Sequence, residues 1–177
     1  PDFGSPVAPG PLPTDPDRDH AVRVDVPGLS PATTSHYRFV VVGGPAAGAS
    51  SRVGRTRTAP AGGDDPGRLR FGVVSCSNYE AGYFRAYRSL AERDDVEFVL
   101  HLGDYTYEYE TGEYGAAYDN IVRRTAPANR TTTLTDYRIR QGHHRRDADL
   151  ADLHAAKPMI CVWDDHEFYD NAWRDGA

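Results

Sequence analysis

The sequence predicts an α/β fold preceded by a small antiparallel β unit, and three observations carry that reading. Three apolar runs, Phe71-Gly-Val-Val-Ser-Cys76, Val99-Leu-His-Leu-Gly-Asp104 and Met159-Ile-Cys-Val-Trp-Asp-Asp-His-Glu167, each stop abruptly in residues that bind metals or handle protons. A segment of helical pattern fits between the first two, as a β-α-β crossover requires. Upstream, short segments alternate apolar and polar residues as half-buried antiparallel strands do. Parallel strands that end in Cys, Asp and Asp-His set those groups along one sheet edge, where open α/β sheets carry their active sites.

Residues 1–20 carry Pro at positions 1, 6, 9, 11, 13 and 16 and read as a loop or disordered arm. Ala21-Val-Arg-Val-Asp-Val26 alternates, with Val22, Val24 and Val26 on one face, and predicts a strand closed by Pro27-Gly28. Tyr37–Val42 predicts a second strand, with Tyr37, Phe39 and Val41 on one face, and Arg52–Thr58 a third. Strands at this spacing suggest part of a β-sandwich. Ala59–Gly67 is a linker by composition. The expected organisation is an arm at 1–20, the C-terminal part of a sandwich at 21–58, a linker at 59–68 and an α/β unit at 69–177.

In that unit Leu69–Ser75 predicts the first buried strand. Glu80–Arg93 predicts a helix, with Tyr83, Tyr87, Leu90 and Ala91 at helical spacing. Val96–Leu102 is the second strand. Tyr105–Asn129 has no period and is long for a loop, and such loops are often functional. Thr133-Leu-Thr-Asp136 resembles a capping box with Asp in place of Glu and starts a helix over 134–144. A further helix over 147–156 should turn Leu150 and Leu153 inward, before Lys157-Pro158 and a third strand over 159–163.

Bulk composition is that of an ordinary globular chain: 177 residues, 39% hydrophobic and 26% charged. No apolar run nears the roughly 20 residues needed to span a bilayer. The net charge of −6 argues against a nucleic-acid partner, because a phosphate backbone requires a basic face. The chain opens Pro1-Asp-Phe-Gly, with no secretory signal. Two cysteines make no disulfide framework, though a bridge between Cys76 and Cys161 stays open. Cys161, mid-strand among apolar residues, reads as a small core filler.

The strand ends hold the candidate chemistry. Asp104, after a glycine that lets the backbone approach closely, can bridge two metal ions with its two oxygens; a turn Asp is the bland alternative. Trp163-Asp-Asp-His-Glu167 places four ionisable groups in a row, costly to bury unless they pair or coordinate. Asp165 could act as a ligand and His166 as a phosphate-facing donor or acid. Cys76 is a possible thiolate ligand or nucleophile, against the commoner structural cysteine. Tyr107 is a possible phenolate ligand for Fe(III), against a packing tyrosine.

The order strand–ligand, helix, strand–Gly-Asp, insert, strand–Asp-His-Glu is similar to the calcineurin-like metallophosphoesterases. Within that group the chain resembles the PhoD-like alkaline phosphatase/phospholipase D family. The residues that carry the likeness are Phe71-Gly-Val-Val-Ser-Cys-Ser-Asn-Tyr-Glu-Ala-Gly-Tyr-Phe84, His101-Leu-Gly-Asp-Tyr-Thr-Tyr-Glu-Tyr109, Asp147-Ala-Asp-Leu150 with Leu153-His-Ala155, and Val162-Trp-Asp-Asp-His-Glu-Phe-Tyr-Asp-Asn171. The resemblance implies part of the metallophosphoesterase sheet-and-helix layers behind part of an Ig/fibronectin III-like sandwich. It implies hydrolysis of phosphate mono- or diesters at an Fe(III)–Ca(II) centre, with other divalent metals possible. Cys76 and Tyr107 would bind iron, Asp104 would bridge iron and calcium, and Asn171 would bind calcium. Asp165 would be a further ligand and His166 a phosphate-side catalytic group beside Asp104. Small phosphate esters, or phosphodiester polymers and lipids, are the implied substrates. The parent protein would be secreted or in the cell envelope. The family's remaining ligands lie downstream of Asp-Asp-His-Glu, so the 177 residues would hold about half of the site. The alternative is a non-catalytic fragment or interaction module with residual metal binding. Leu29-x-Pro31-x-Thr33 matches the turn before a late strand of the family's sandwich, with Ser35 where a corner tyrosine usually stands.

Overall fold

The computed structural model describes residues 1, 3–4, 6–7, 10–114 and 121–176. The chain divides into two compact units, Pro1–Gly67 and Arg68–Ala177. Among the described residues the first contains one antiparallel pair, β1 (Thr34–Tyr37) and β2 (Gly54–Arg57), in the register Thr34↔Arg57 to Tyr37↔Gly54. A single bridge between Val40 and Ser50 extends the pairing beyond β1. The expected strand over 21–26 is not formed: its alternation is real, but among the described residues no strand pairs with it, and Val26 is exposed. The expected strand over 37–42 forms only at Tyr37, with the isolated bridge at Val40; the observed strand starts three residues earlier, at Thr34. Thr33 and Thr58 tie the pair together there, with the Thr33 amide donating to Thr58 Oγ1 and the Thr58 hydroxyl to Ser30 O. Tyr37, Phe39 and Val41, expected to share one face, are all exposed.

The second unit is a three-stranded parallel sheet in the order β3 (Phe71–Val74), β4 (Phe98–His101), β5 (Met159–Cys161). The crossover from β3 to β4 runs through α1 (Arg85–Ala91). The passage from β4 to β5 runs through the long insert, α2 (Leu134–His144) and α3 (Ala148–Ala156). α1 and α3 pack on each other over one face of the sheet. The core lies there: Phe84, Tyr87, Val99, Tyr105, Leu150 and Leu153. Strand alternation puts Phe71, Val73, Leu102, Ile160 and Val162 on the other face, where they are exposed.

α2 starts where its capping box predicts. The Asp136 amide donates to Thr133 Oγ1 at 3.2 Å, and the Thr133 amide to Asp136 Oδ2 at 2.9 Å. Asp147 caps α3 by accepting the Leu150 amide, which turns Leu150 and Leu153 wholly inward. α1 is half the expected length. Asn78 Oδ1 draws in the amides of Glu80 and Ala81, an Asx turn that competes with helix. Glu80 itself turns away and accepts the Gly112 amide, so Tyr83 stands outside the helix and exposed. Cys161 is not core but an exposed residue at the end of β5. No bridge joins it to Cys76: both thiols are free. The one lysine, Lys157, is buried and donates to Arg93 O at 2.6 Å. Among the described residues no helix is long and apolar enough to cross a membrane.

Candidate metal centre

The parallel register delivers all three strand ends to one edge, and backbone hydrogen bonds latch their exits together. The amides of Cys76 and Ser77 donate to Gly103 O and Asp104 O at 3.2 and 2.9 Å. The Val162 amide donates to His101 O at 3.0 Å. Gly103 has φ +106°, and a Cβ there would stand 2.4 Å from Asp164 Cβ and 2.6 Å from Asp164 N. Only glycine lets the exits of β4 and β5 pass this closely.

Three non-glycine residues described in the second unit have positive φ: Cys76 (56°), Asp104 (53°) and Asn171 (57°). Each is a ligand expected from sequence. Left-handed backbone costs a non-glycine residue about 1–3 kcal/mol, and such residues cluster at functional sites.

The side chains converge on Asp104, which is buried. The Cys76 thiol and the Tyr107 hydroxyl both direct their protons at Asp104 Oδ2, each at 3.4 Å. Asp104 Oδ1 is buried with no hydrogen-bond partner. Asp104, Asp165 and His166 can each offer one ligand atom such that all lie within 4.8 Å of one another. A buried carboxylate with one orphaned oxygen, a thiol and a phenol at the other, and a carboxylate and an imidazole close by, fits a cation better than it fits a packed core. Burial raises the Asp104 carboxyl above the usual carboxylate range, with Cys76 opposing. Burial, and next the Asp104 charge, pushes the Tyr107 phenol well above its ordinary value. Without a cation, the phenol therefore keeps its proton. Asn171 is exposed, and its backbone amide donates to Asp165 Oδ2 at 2.5 Å.

Three residues that organise the site were not picked out from the sequence. Glu108 is 1% exposed and accepts from His166 Nδ1 at 3.0 Å and from the Asp170 amide at 2.9 Å. The rings of Tyr107 and Tyr109 pack on the same imidazole at 4.3 and 5.4 Å. Glu167 reaches across from the β5 exit to the backbone after Gly103. Arg140, 3% exposed, donates to the carbonyls of Tyr107, Tyr109, Ala126, Pro127 and Asn129, pinning both arms of the insert to α2. For Glu167 a signal was legible, since Asp164-x-x-Glu167 has capping-box spacing. For Glu108 the hint was one carboxylate inside the run Tyr105-Thr-Tyr-Glu-Tyr109. For Arg140 there was none. An open cleft of about 360 Å³ borders Cys76, between Ser75–Asn78 and the stretch from Ala81 to Tyr87.

Residues 71–177 match the family described as PhoD-like phosphatase, and residues 1–60 match PhoD-like phosphatase, N-terminal domain. The chain belongs to the PhoD-like phosphatase family. A curated PhoD-like relative, alkaline phosphatase D of Bacillus subtilis (strain 168), is 40% identical over 152 residues. That alignment takes in 86% of this chain but 25% of the relative. A solved structure of PhoD superposes with TM-score 0.87 at 38% identity, over 96% of this chain and 31% of that one. The chain thus spans a quarter to a third of the PhoD-like proteins it matches, and the mixed α/β fold with its parallel sheet is common to both.

Proposed function

We propose that this chain is part of a metal-dependent phosphatase that hydrolyses phosphate mono- or diesters, and that it carries about half of a two-metal site. The observation that carries the reading is Asp104: left-handed backbone, one oxygen facing a thiol and a phenol, the other buried without a partner. Cys76 and Tyr107 would hold Fe(III), and Asp104 would be shared with Ca(II). Asp165 and the side chain of Asn171 would complete the chain's share. Sulfur and phenolate suit iron, while carboxylate and amide oxygens suit calcium. Bound metals would supply an activated water and charge neutralisation of the phosphoryl oxygens.

The chain's own residues do the rest. To hold a metal, Cys76 and Tyr107 would release to solvent the protons they now direct at Asp104 Oδ2. Glu108 occupies His166 Nδ1, so Nε2 is the nitrogen left to meet a phosphoryl oxygen or a cation. The open cleft beside Cys76 is read as the approach for the ester. Small phosphate esters, phosphodiester polymers and phospholipids all present the group this chemistry handles. The parent is read as secreted or in the cell envelope, and residues 21–58 as the end of an Ig/fibronectin III-like sandwich.

The isolated 177 residues are read as inactive, a fragment with residual metal binding, because they cover a quarter of alkaline phosphatase D. Assaying them and the parent with a chromogenic phosphate ester, with added iron and calcium and then with chelator, tests both statements. The expected result is turnover by the parent, abolished by chelation, and little from the isolated chain. Chelator-resistant turnover by the parent contradicts the metal reading, and robust turnover by the isolated chain contradicts the half-site.

A further inference from the structure

The most heavily used acceptor at the site is a carboxylate that belongs to no ligand set. Glu167 Oε2 accepts the amides of Asp104 (2.9 Å) and Asp164 (2.8 Å), and Oε1 those of Tyr105 (2.6 Å) and Thr106 (3.2 Å). Four donors fill both oxygens. Three of them are consecutive amides immediately after Gly103, in the turn where Asp104 takes φ +53°. Consecutive amides aimed at one anion form a concave nest, here closed by a side chain 61–63 residues away in sequence. The fourth amide, from Asp164, ties the same carboxylate to its own loop.

We propose that Glu167 is a positioning residue. It holds the left-handed turn at Asp104 and so aims the Asp104 carboxylate at Cys76, Tyr107 and Asp165 before any metal arrives. The inference rests on the metal-site reading above, and its reasoning is geometric. Charge-assisted bonds to backbone amides are the stronger class, and they offset the cost of a conformation that an Asp adopts reluctantly. Glutamine cannot replace Glu167: it has one oxygen where two are used, and in either flip its NH2 group meets amide donors. Aspartate keeps the charge but is one methylene too short to reach the same amides.

The test uses the 177-residue chain carrying Cys161→Ser, with Co(II) as probe, because a cobalt–thiolate band then reports ligation by Cys76, the remaining thiol. Glu167→Gln should weaken Co(II) affinity by about 10–100-fold, the usual range for groups that orient metal ligands. The metal-free variant should keep its sheet and helices by circular dichroism. Unchanged Co(II) affinity in the folded variant overturns the proposal. If the variant does not fold, hydrogen exchange of the unmutated, metal-free chain decides. The amides of Asp104, Tyr105 and Thr106 should be protected to the same degree as those of β4, and exchange as fast as in open loops overturns the proposal. If the unmutated chain binds no Co(II) at all, the metal-site reading fails, and the same three amides still decide whether Glu167 holds the turn.

Discussion

Replacing Gly103 with alanine places a methyl group where the β4 and β5 exits cross. The new Cβ would lie 2.4 Å from Asp164 Cβ, 2.6 Å from Asp164 N and 3.0 Å from Trp163 C. Two of those three are backbone atoms, so no side-chain rotation relieves the clash. The φ of +106° adds conformational strain of about 1–3 kcal/mol for any L-residue. Forcing a methyl into packed backbone adds about 1–3 kcal/mol more. The sum, about 2–6 kcal/mol, is a large part of the roughly 5–15 kcal/mol by which domains are usually stable. Urea unfolding followed by circular dichroism measures it, as a lowered midpoint or loss of the transition. Because the clash pushes Asp164 away, the distance between Asp104 and Asp165 should grow, and Co(II) binding should fall more than stability does. Gly142→Ala is the opposite control: it lies within α2, where an added Cβ would meet no atom within 4 Å, and should stabilise by about 0.5–1 kcal/mol. A Gly103→Ala protein with the parental midpoint and metal affinity would refute the reasoning.

Other expectations follow from the core and the site. Leu150→Ala, at a residue with no exposed surface, should cost about 2–5 kcal/mol in the same urea experiment. Glu108→Ala leaves His166 Nδ1 and the Asp170 amide without their buried acceptor and should cost about 3 kcal/mol. Nitrogen NMR of the same variant should show His166 losing its fixed Nδ1–H tautomer. Burial holds the His144 imidazole down to about 3, against an ordinary 6.5. The unfolded chain therefore takes up that proton first, and stability falls as pH drops from 6.5 toward 3, by up to about 1.4 kcal/mol per pH unit. Above pH 6.5 this histidine contributes no pH dependence. His144→Phe should flatten the acid limb of unfolding free energy against pH, and an unchanged slope would contradict the assignment.

The second unit was the more legible in sequence because its signals are strong and local. Continuous apolar strands, the Thr133–Asp136 box and the inward pair Leu150 and Leu153 each state their own structure. The three strand ends could be placed together because parallel pairing leaves no other arrangement. What escaped was set by distant partners. α1 lost its first turn to Asn78 and Glu80, whose acceptors serve other backbone. Val22, Val24 and Val26 alternate correctly, but a strand exists only through its neighbour. Glu108 and Arg140 act across 58 and up to 33 residues, where no periodicity reports a contact. Cys76 shows the gain most clearly. Taken alone it reads as a structural cysteine; the order of the strand-end motifs makes it a ligand candidate, and the structure adds Asp104 Oδ2 at 3.4 Å and φ +56°.

The central claim is that Cys76, Asp104 and Tyr107 converge to bind a metal. The visible spectrum of the iron-loaded parent protein tests it most directly. A phenolate–Fe(III) charge-transfer band is predicted for the unmutated protein and should vanish in Tyr107→Phe with the fold intact. A colourless, iron-free parent with full phosphatase activity, or a band unchanged by Tyr107→Phe, would contradict the account.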